Sequence, residues 1–211
     1  GTLDAVWNTL GSMKGAAYVG NETARAEAAG LVVNPAKLVA HLDWDRAYKT
    51  DYELKCLDEA SALGAKGHIA AGEVFDAGGS DLEIHYAFVR AMGVTDAELP
   101  YPTIVALDEK AAFLHYQSKR SFRGGKVLLI DAGGQVRGYA SDITRTRIAK
   151  RCDRRFVALR DGLETIQQEL CETVGPGIPY GDLHEEAHRK IGALLCAHGV
   201  LLCDADEAVT K

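Results

Sequence analysis

No pair among Cys56, Cys152, Cys171, Cys196 and Cys203 has CxxC spacing, and the number of cysteines is odd. That leaves no disulfide framework to read and predicts reduced, mostly buried thiols in a cytoplasmic protein. There is no run of basic residues, and 24 Lys+Arg stand against 30 Asp+Glu for a net charge of −6. Nucleic acid is therefore not an expected partner. No apolar stretch approaches the length of a membrane span, which excludes a spanning helix. The opening residues, GTLDAVWNTLGSMKG, lack a charged start followed by an apolar run, so no signal peptide is expected. What is there is 211 residues, 47% of them hydrophobic. That suffices for a substantial core in one large domain, or in one domain plus part of another.

Along the chain the pattern changes twice. Residues 1 to 46 alternate short apolar pieces with Gly, Asn and Pro. GAAYVG reads as a buried strand and NPAKLVAHLDWDR as a short helix with Pro35 in its first turn. Thr50-Asp51-Tyr52-Glu53 is a capping box, in which hydroxyl and carboxylate each satisfy an unpaired backbone N–H. It predicts a long helix to about Ala77, stopped by Gly78 and Gly79. A second box, Ser80 to Glu83, starts a shorter helix ending at Gly93. TIVAL, AFLHYQ and KVLLIDAG then read as strands, continued by VRGYASDITRT. Helical periodicity returns over roughly Cys152–Val174 and Gly181–His198. Arg151, Arg154 and Arg155 mark a solvated helix start. GGSDLEIHYAFVRAMGV and PYGDLHEEAHRKIGALLCAHGV share an acidic start, a histidine and a closing Gly-Val, which suggests an internal repeat. The strands of the second unit are then expected beyond Lys211, which makes the chain read as part of a longer protein.

LLIDAGGQVRGYASDITRT carries the chemistry. Asp131 follows an apolar strand, and a reversal at Val136-Arg137 sets Asp142 directly across from it. Opposed residues of an antiparallel pair share a face, with Cβ atoms about 5 Å apart. Two carboxylates that close repel, and burial worsens the repulsion. Hard divalent cations resolve it, because carboxylates can chelate one ion or bridge two. Two turn aspartates on a solvated hairpin remain the alternative on these residues alone.

DAGGQVRGYASDITRT resembles the metal-binding hairpin of the pita-bread dinuclear metallopeptidases, which include Xaa-Pro dipeptidases, aminopeptidases P and methionine aminopeptidases. Members have an Asp, ten residues and a second Asp, with Gly-Tyr before the second and Ile-Thr-Arg-Thr after it. All of these features stand here. LPYPTIVALDEKAAFLHYQ, Leu99 to Gln117, is similar to the stretch preceding that hairpin, most closely in bacterial Xaa-Pro dipeptidases (prolidases).

The resemblance implies an α/β (α+β) pita-bread fold, a curved antiparallel sheet with outer helices. It implies metal-dependent hydrolysis of Xaa-Pro dipeptides. The alternatives are an aminopeptidase P acting on longer Xaa-Pro peptides, or a non-catalytic pita-bread binding protein. Two divalent ions are implied, Mn²⁺ before Co²⁺ or Zn²⁺, with Asp131 chelating one and Asp142 bridging both. His115, in LHY, matches a histidine that contacts substrate and helps stabilise the tetrahedral intermediate. Without the resemblance it reads as a core histidine on an apolar strand. Tyr101 and Tyr180 match positions that line the pocket. Two of five protein ligands are accounted for, and a histidine and two glutamates are not found. Residues 1–46 are then expected to be the end of an N-terminal domain and linker, and 47–211 the first part of a catalytic domain that is inactive alone. The implied partners are a small proline peptide and a second copy in a homodimer, with no nucleic acid and no membrane.

A competing motif is HEEAH. His184 and His188 lie four apart and share a helix face, as a zinc-binding pair requires, with Glu207 downstream as a third ligand. However, Leu183, Ala187, Ile191, Leu194 and Leu195 form the apolar stripe of that helix, and the histidines sit along its border. The resembling family has no metal beside this helix, so the chemistry is expected on the hairpin.

Overall fold

The computed structural model describes residues 3–149, 152–204 and 207–208; Arg151 and Lys211 lie outside them. The chain forms two compact units, residues 1–55 and 56–211.

In the first unit, α1 (Leu3–Leu10) precedes β1 (Ala17–Tyr18), α2 (Thr23–Ala28), β2 (Val32–Val33) and α3 (Ala36–Asp45). β1 and β2 pair in parallel. The GAAYVG strand is therefore present, but Ala17 is exposed rather than buried, because so short a pair cannot cover both faces of a strand. Asn34 takes a positive φ of 44°. Its side-chain amide grips both polar groups of Gly20, at 2.9 and 3.0 Å, which closes the loop.

α4 (Asp51–Asp76) starts at its capping box, with the Thr50 N–H donating to Glu53 Oε2 at 2.7 Å. α5 (Asp81–Met92) has the second box and ends on Gly93 at φ 74°. In the second unit β3 (Ile104–Leu107), β4 (Val127–Asp131) and β7 (Thr144–Ile148) form an antiparallel sheet in the order β3-β4-β7. β5 (Gln135–Val136) and β6 (Tyr139–Ala140) make the hairpin tip. α6 (Arg154–Thr173) and α7 (Tyr180–Ala197) follow. The core joins Ala71 and Phe75 of α4, Ile84, Phe88 and Met92 of α5, and Val105, Leu107, Leu128 and Ile130 of the sheet. Leu128 and Ile130 face these helices, so alternation turns Leu129 and Asp131 to the opposite face.

AFLHYQ does not form a strand. After β3 the chain tightens into a 3-10 stretch, Asp108–Ala112, and then an exposed turn. Polar contacts hold this segment where a ladder was expected. Fully buried Asp81 accepts from Lys110 Nζ at 2.8 Å and from the Arg120 N–H at 2.5 Å. Asp108 accepts from the N–H groups of Lys126 and Val127 and so caps the start of β4.

Candidate metal centre

The hairpin reverses at Arg137-Gly138, both at positive φ (53° and 87°), the two-residue turn whose twist suits antiparallel strands. The reversal lies one residue beyond the expected Val136-Arg137. The register therefore moves by two, and Asp131 opposes Thr144 rather than Asp142. The Ala132 N–H donates to the Ile143 carbonyl and the Ser141 N–H to the Gly134 carbonyl, which carries the register on and sets Gly133 across from Asp142. A shift of two keeps parity, so Asp131 and Asp142 still share a face, now as diagonal neighbours.

One phenol joins them. Tyr101 Oη donates to Asp142 Oδ1 at 3.0 Å. Burial raises the Tyr101 hydroxyl far above its ordinary range, and its hydrogen bond to Asp142 and the Asp131 carboxylate act in the same direction. The proton therefore stays on the oxygen and serves as a donor. Asp131 Oδ1 is buried with no hydrogen-bond partner. A carboxylate oxygen in that state is costly unless a cation or donor meets it. Asp142 is exposed, so this face is open to an incoming ion.

The support comes from α4 and from glycines. A Cβ on Gly133 would lie 1.8 Å from the Ser141 carbonyl oxygen and 3.2 Å from the Tyr101 hydroxyl. Only glycine lets the strand pass there. A Cβ on Gly64 would meet Ser141 Oγ at 2.8 Å, so α4 also needs glycine where the hairpin lies against it. Ser141 Oγ donates to the Ala60 carbonyl of α4 at 2.9 Å and accepts from the Gly134 N–H at 3.0 Å. His68 of α4 bonds the Ala132 carbonyl through Nε2 at 3.0 Å, one residue past Asp131. The carbonyl can only accept, so His68 Nε2 carries the proton. Burial, aided by the charge of Arg145, lowers the His68 pKa below its ordinary value, which favours the neutral ring. His68, Ser141 and Gly64 escaped the sequence reading. The signal for His68 and Gly64, small and polar residues at helical spacing in ALGAKGHIAAG, resembles any close helix packing. Arg145 donates to the Thr144 carbonyl, while Arg147 binds Asp76 at 2.7 Å.

Of the expected site residues, the structure brings together Asp131, Asp142 and Tyr101. His115 lies in the exposed turn that replaced its strand, and Tyr180 is 84% exposed at the start of α7. No contact with either aspartate is seen for them among the described residues. His184 and His188 do share a face, with ring centroids 4.2 Å apart, and both are exposed on α7. Among the described residues no three His, Cys, Asp or Glu side chains are grouped to hold a metal ion, at HEEAH or on the hairpin. The aspartate pair fits a divalent ion in its orphaned oxygen and open face, but does not by itself form a metal-holding group.

Comparison with known proteins assigns the chain a family. The model of metallopeptidase family M24 matches residues 55–207, and the chain belongs to that family. A Xaa-Pro dipeptidase of Marinobacter nauticus is 46% identical over 180 residues, 84% of this chain and 42% of the relative. One of Proteus mirabilis is 41% identical over 206 residues, covering 94% and 46%. The chain thus spans less than half the length of these two curated relatives. The aminopeptidase PepP structure of Pseudomonas aeruginosa superposes with a TM-score of 0.71 at 30% identity, covering 79% of this chain and 38% of that one. Proline aminopeptidase P II of Yersinia pestis gives 0.82 at 22% identity over 98% of this chain and 53% of its own, a likeness of fold alone. The fold is the pita-bread architecture, and membership of a metallopeptidase family implies divalent metal ions. No helix of the described residues is long and apolar enough to cross a membrane.

Proposed function

We propose that the chain is the part of a Xaa-Pro dipeptidase that carries two carboxylate ligands of a dinuclear metal centre. The observation that carries this reading is the pair Asp131 and Asp142 gathered around one phenol, with a buried carboxylate oxygen left without a partner. Bound divalent ions, Mn²⁺ first, would polarise the scissile carbonyl and acidify water.

The chain's own residues prepare that chemistry. Asp131 and Asp142 supply negative charge at fixed positions. Tyr101 donates to one oxygen of Asp142, orienting the carboxylate. Gly133 keeps the space between strand and phenol clear of a side chain. His68 and Ser141 tie both strands of the hairpin to α4, so the carboxylates are held before any ligand arrives. Two carboxylates cannot fill two coordination shells, and further protein ligands complete them in the whole enzyme. Residues 1–46 would be the end of an N-terminal domain and linker, and 47–211 the first part of the catalytic domain. His115 is proposed to steady the tetrahedral intermediate, supported by the LHY match alone, and Tyr180 to line the pocket on similar grounds. The substrate is a dipeptide ending in proline, whose tertiary amide has no N–H. The enzyme would act in the cytoplasm as a homodimer.

Aminopeptidase P activity is the second reading, favoured by the PepP superposition, whereas the dipeptidase reading rests on the closer sequence relatives. The test is hydrolysis of Ala-Pro and of a longer Ala-Pro-initiated peptide by a chain of the relatives' length carrying this sequence. Mn²⁺-dependent cleavage of the dipeptide alone, abolished by Asp131→Asn or Asp142→Asn, is expected. Preference for the longer peptide would favour the second reading. Activity untouched by either substitution would overturn both.

A further inference from the structure

The end of α7 brings together two cysteines that lie seven residues apart in sequence. Gly199 takes φ 65°, its N–H donates to the Cys196 carbonyl at 3.0 Å, and the Val200 N–H reaches back to the Leu195 carbonyl at 2.9 Å. These two bonds are a Schellman reversal, which glycine permits because it carries no Cβ. The Leu201 N–H also closes on the Leu195 carbonyl, so the chain doubles back over the last turn of the helix. That return sets Cys203 beside Cys196, with the two sulfurs 3.9 Å apart. Both thiols are half-buried and so reachable from solvent, unlike buried Cys56.

We propose that Cys196 and Cys203 form a modification site, a dithiol that closes reversibly to a disulfide by exchange with a small-molecule disulfide. The sulfurs must approach from 3.9 Å to about 2.0 Å, a movement that side-chain rotation in a loop can supply. In the first step the Cys196 thiolate attacks one sulfur of the reagent and releases the other as a thiolate, leaving a mixed disulfide. Cys203 then gives its proton to solvent, and its thiolate attacks the Cys196 sulfur and expels the second thiolate. Two protein thiols are oxidised and one small disulfide is reduced to two thiols. Burial, with Cys196 alongside, raises the Cys203 thiol above its ordinary value, which suits the later role in this order. The product fastens the segment after α7 onto the helix.

The test is intact-mass and peptide mapping of the whole chain treated with oxidised glutathione, with and without denaturant. Closure of the Cys196–Cys203 bond is expected at least about tenfold faster in the folded chain, because the fold raises the effective concentration of one thiol at the other. Cys203→Ser is expected to trap the glutathione adduct on Cys196. Exposed Cys171 reports that the reagent is active. Equal closure rates in both conditions, or a Cys171 adduct while Cys196 and Cys203 stay free thiols, would overturn the proposal.

Discussion

The hairpin 131–144 and helix α7 each carry a string of metal-ligand residues, and only on the hairpin does the surrounding fold hold them. On α7, His184 and His188 stand side by side, exposed, with no third ligand grouped among the described residues. On the hairpin, two carboxylates are held by a phenol above and by α4 behind, and one carboxylate oxygen is buried without a partner. The glycines show the same contrast. A Cβ on Gly133 or Gly64 would collide, whereas one on Gly181 of α7 would meet nothing within 4 Å. A ligand motif is necessary for a metal centre, but the distinguishing mark is the structure that keeps its charges together.

The largest effect expected is for Gly133→Ala. The added carbon would lie 1.8 Å from the Ser141 carbonyl, a backbone atom that cannot swing aside. A loss of about 3 kcal/mol or more is expected by chemical denaturation, with the hairpin displaced from α4. Wild-type stability would show that the hairpin is not packed as described. Ser141→Ala should rank second. Its hydroxyl serves both the Gly134 N–H and the Ala60 carbonyl in a buried place, and its removal orphans the N–H. The expected cost is about 1–3 kcal/mol, measured in the same way.

Much of this was legible beforehand. The two capping boxes announced α4 and α5, since side-chain and backbone groups at fixed spacing satisfy each other locally. LLID announced β4. What failed lay beyond what local propensity records. The register moved because Arg137, rather than Val136, adopts the left-handed conformation beside Gly138, a choice that local propensity scarcely records. AFLHYQ has the composition of a strand, but Asp81, some thirty residues earlier, holds the segment by polar contacts at 2.8 Å and closer. His68 lies in a helix whose reading shows only small residues, and its role exists solely because Ala132 lies opposite.

His68 and His85 make the comparison sensitive to pH. Burial lowers both below the ordinary histidine value of 6.5, with Arg145 adding to the effect at His68 and Lys119 at His85. In the unfolded chain they bind protons near 6.5, and in the folded chain only at lower pH. Between those values the unfolded state holds more protons, so stability rises with pH. It is fully present above the unfolded pKa and is lost as pH falls below about 6.5 toward the folded values. His68→Gln should flatten this slope while keeping a donor for the Ala132 carbonyl. Urea midpoints at several pH values between 5 and 8 would read it, and an unchanged slope would remove His68 from the account.

Gly181→Ala should give the smallest change, with the opposite sign. Gly181 is exposed in the first turn of α7, has no positive φ, and faces open space where a Cβ would stand. Nothing in the fold uses its freedom, so glycine there only adds entropy to the unfolded chain. Alanine should stabilise by about 0.5 kcal/mol and raise the melting temperature by about 1–2 °C. Loss of stability would mean that the start of α7 is constrained by a neighbour, and α7 would then rank with the hairpin as a supported element. A gain keeps the distinction, because glycine is required where the carboxylates are held and dispensable where HEEAH is displayed.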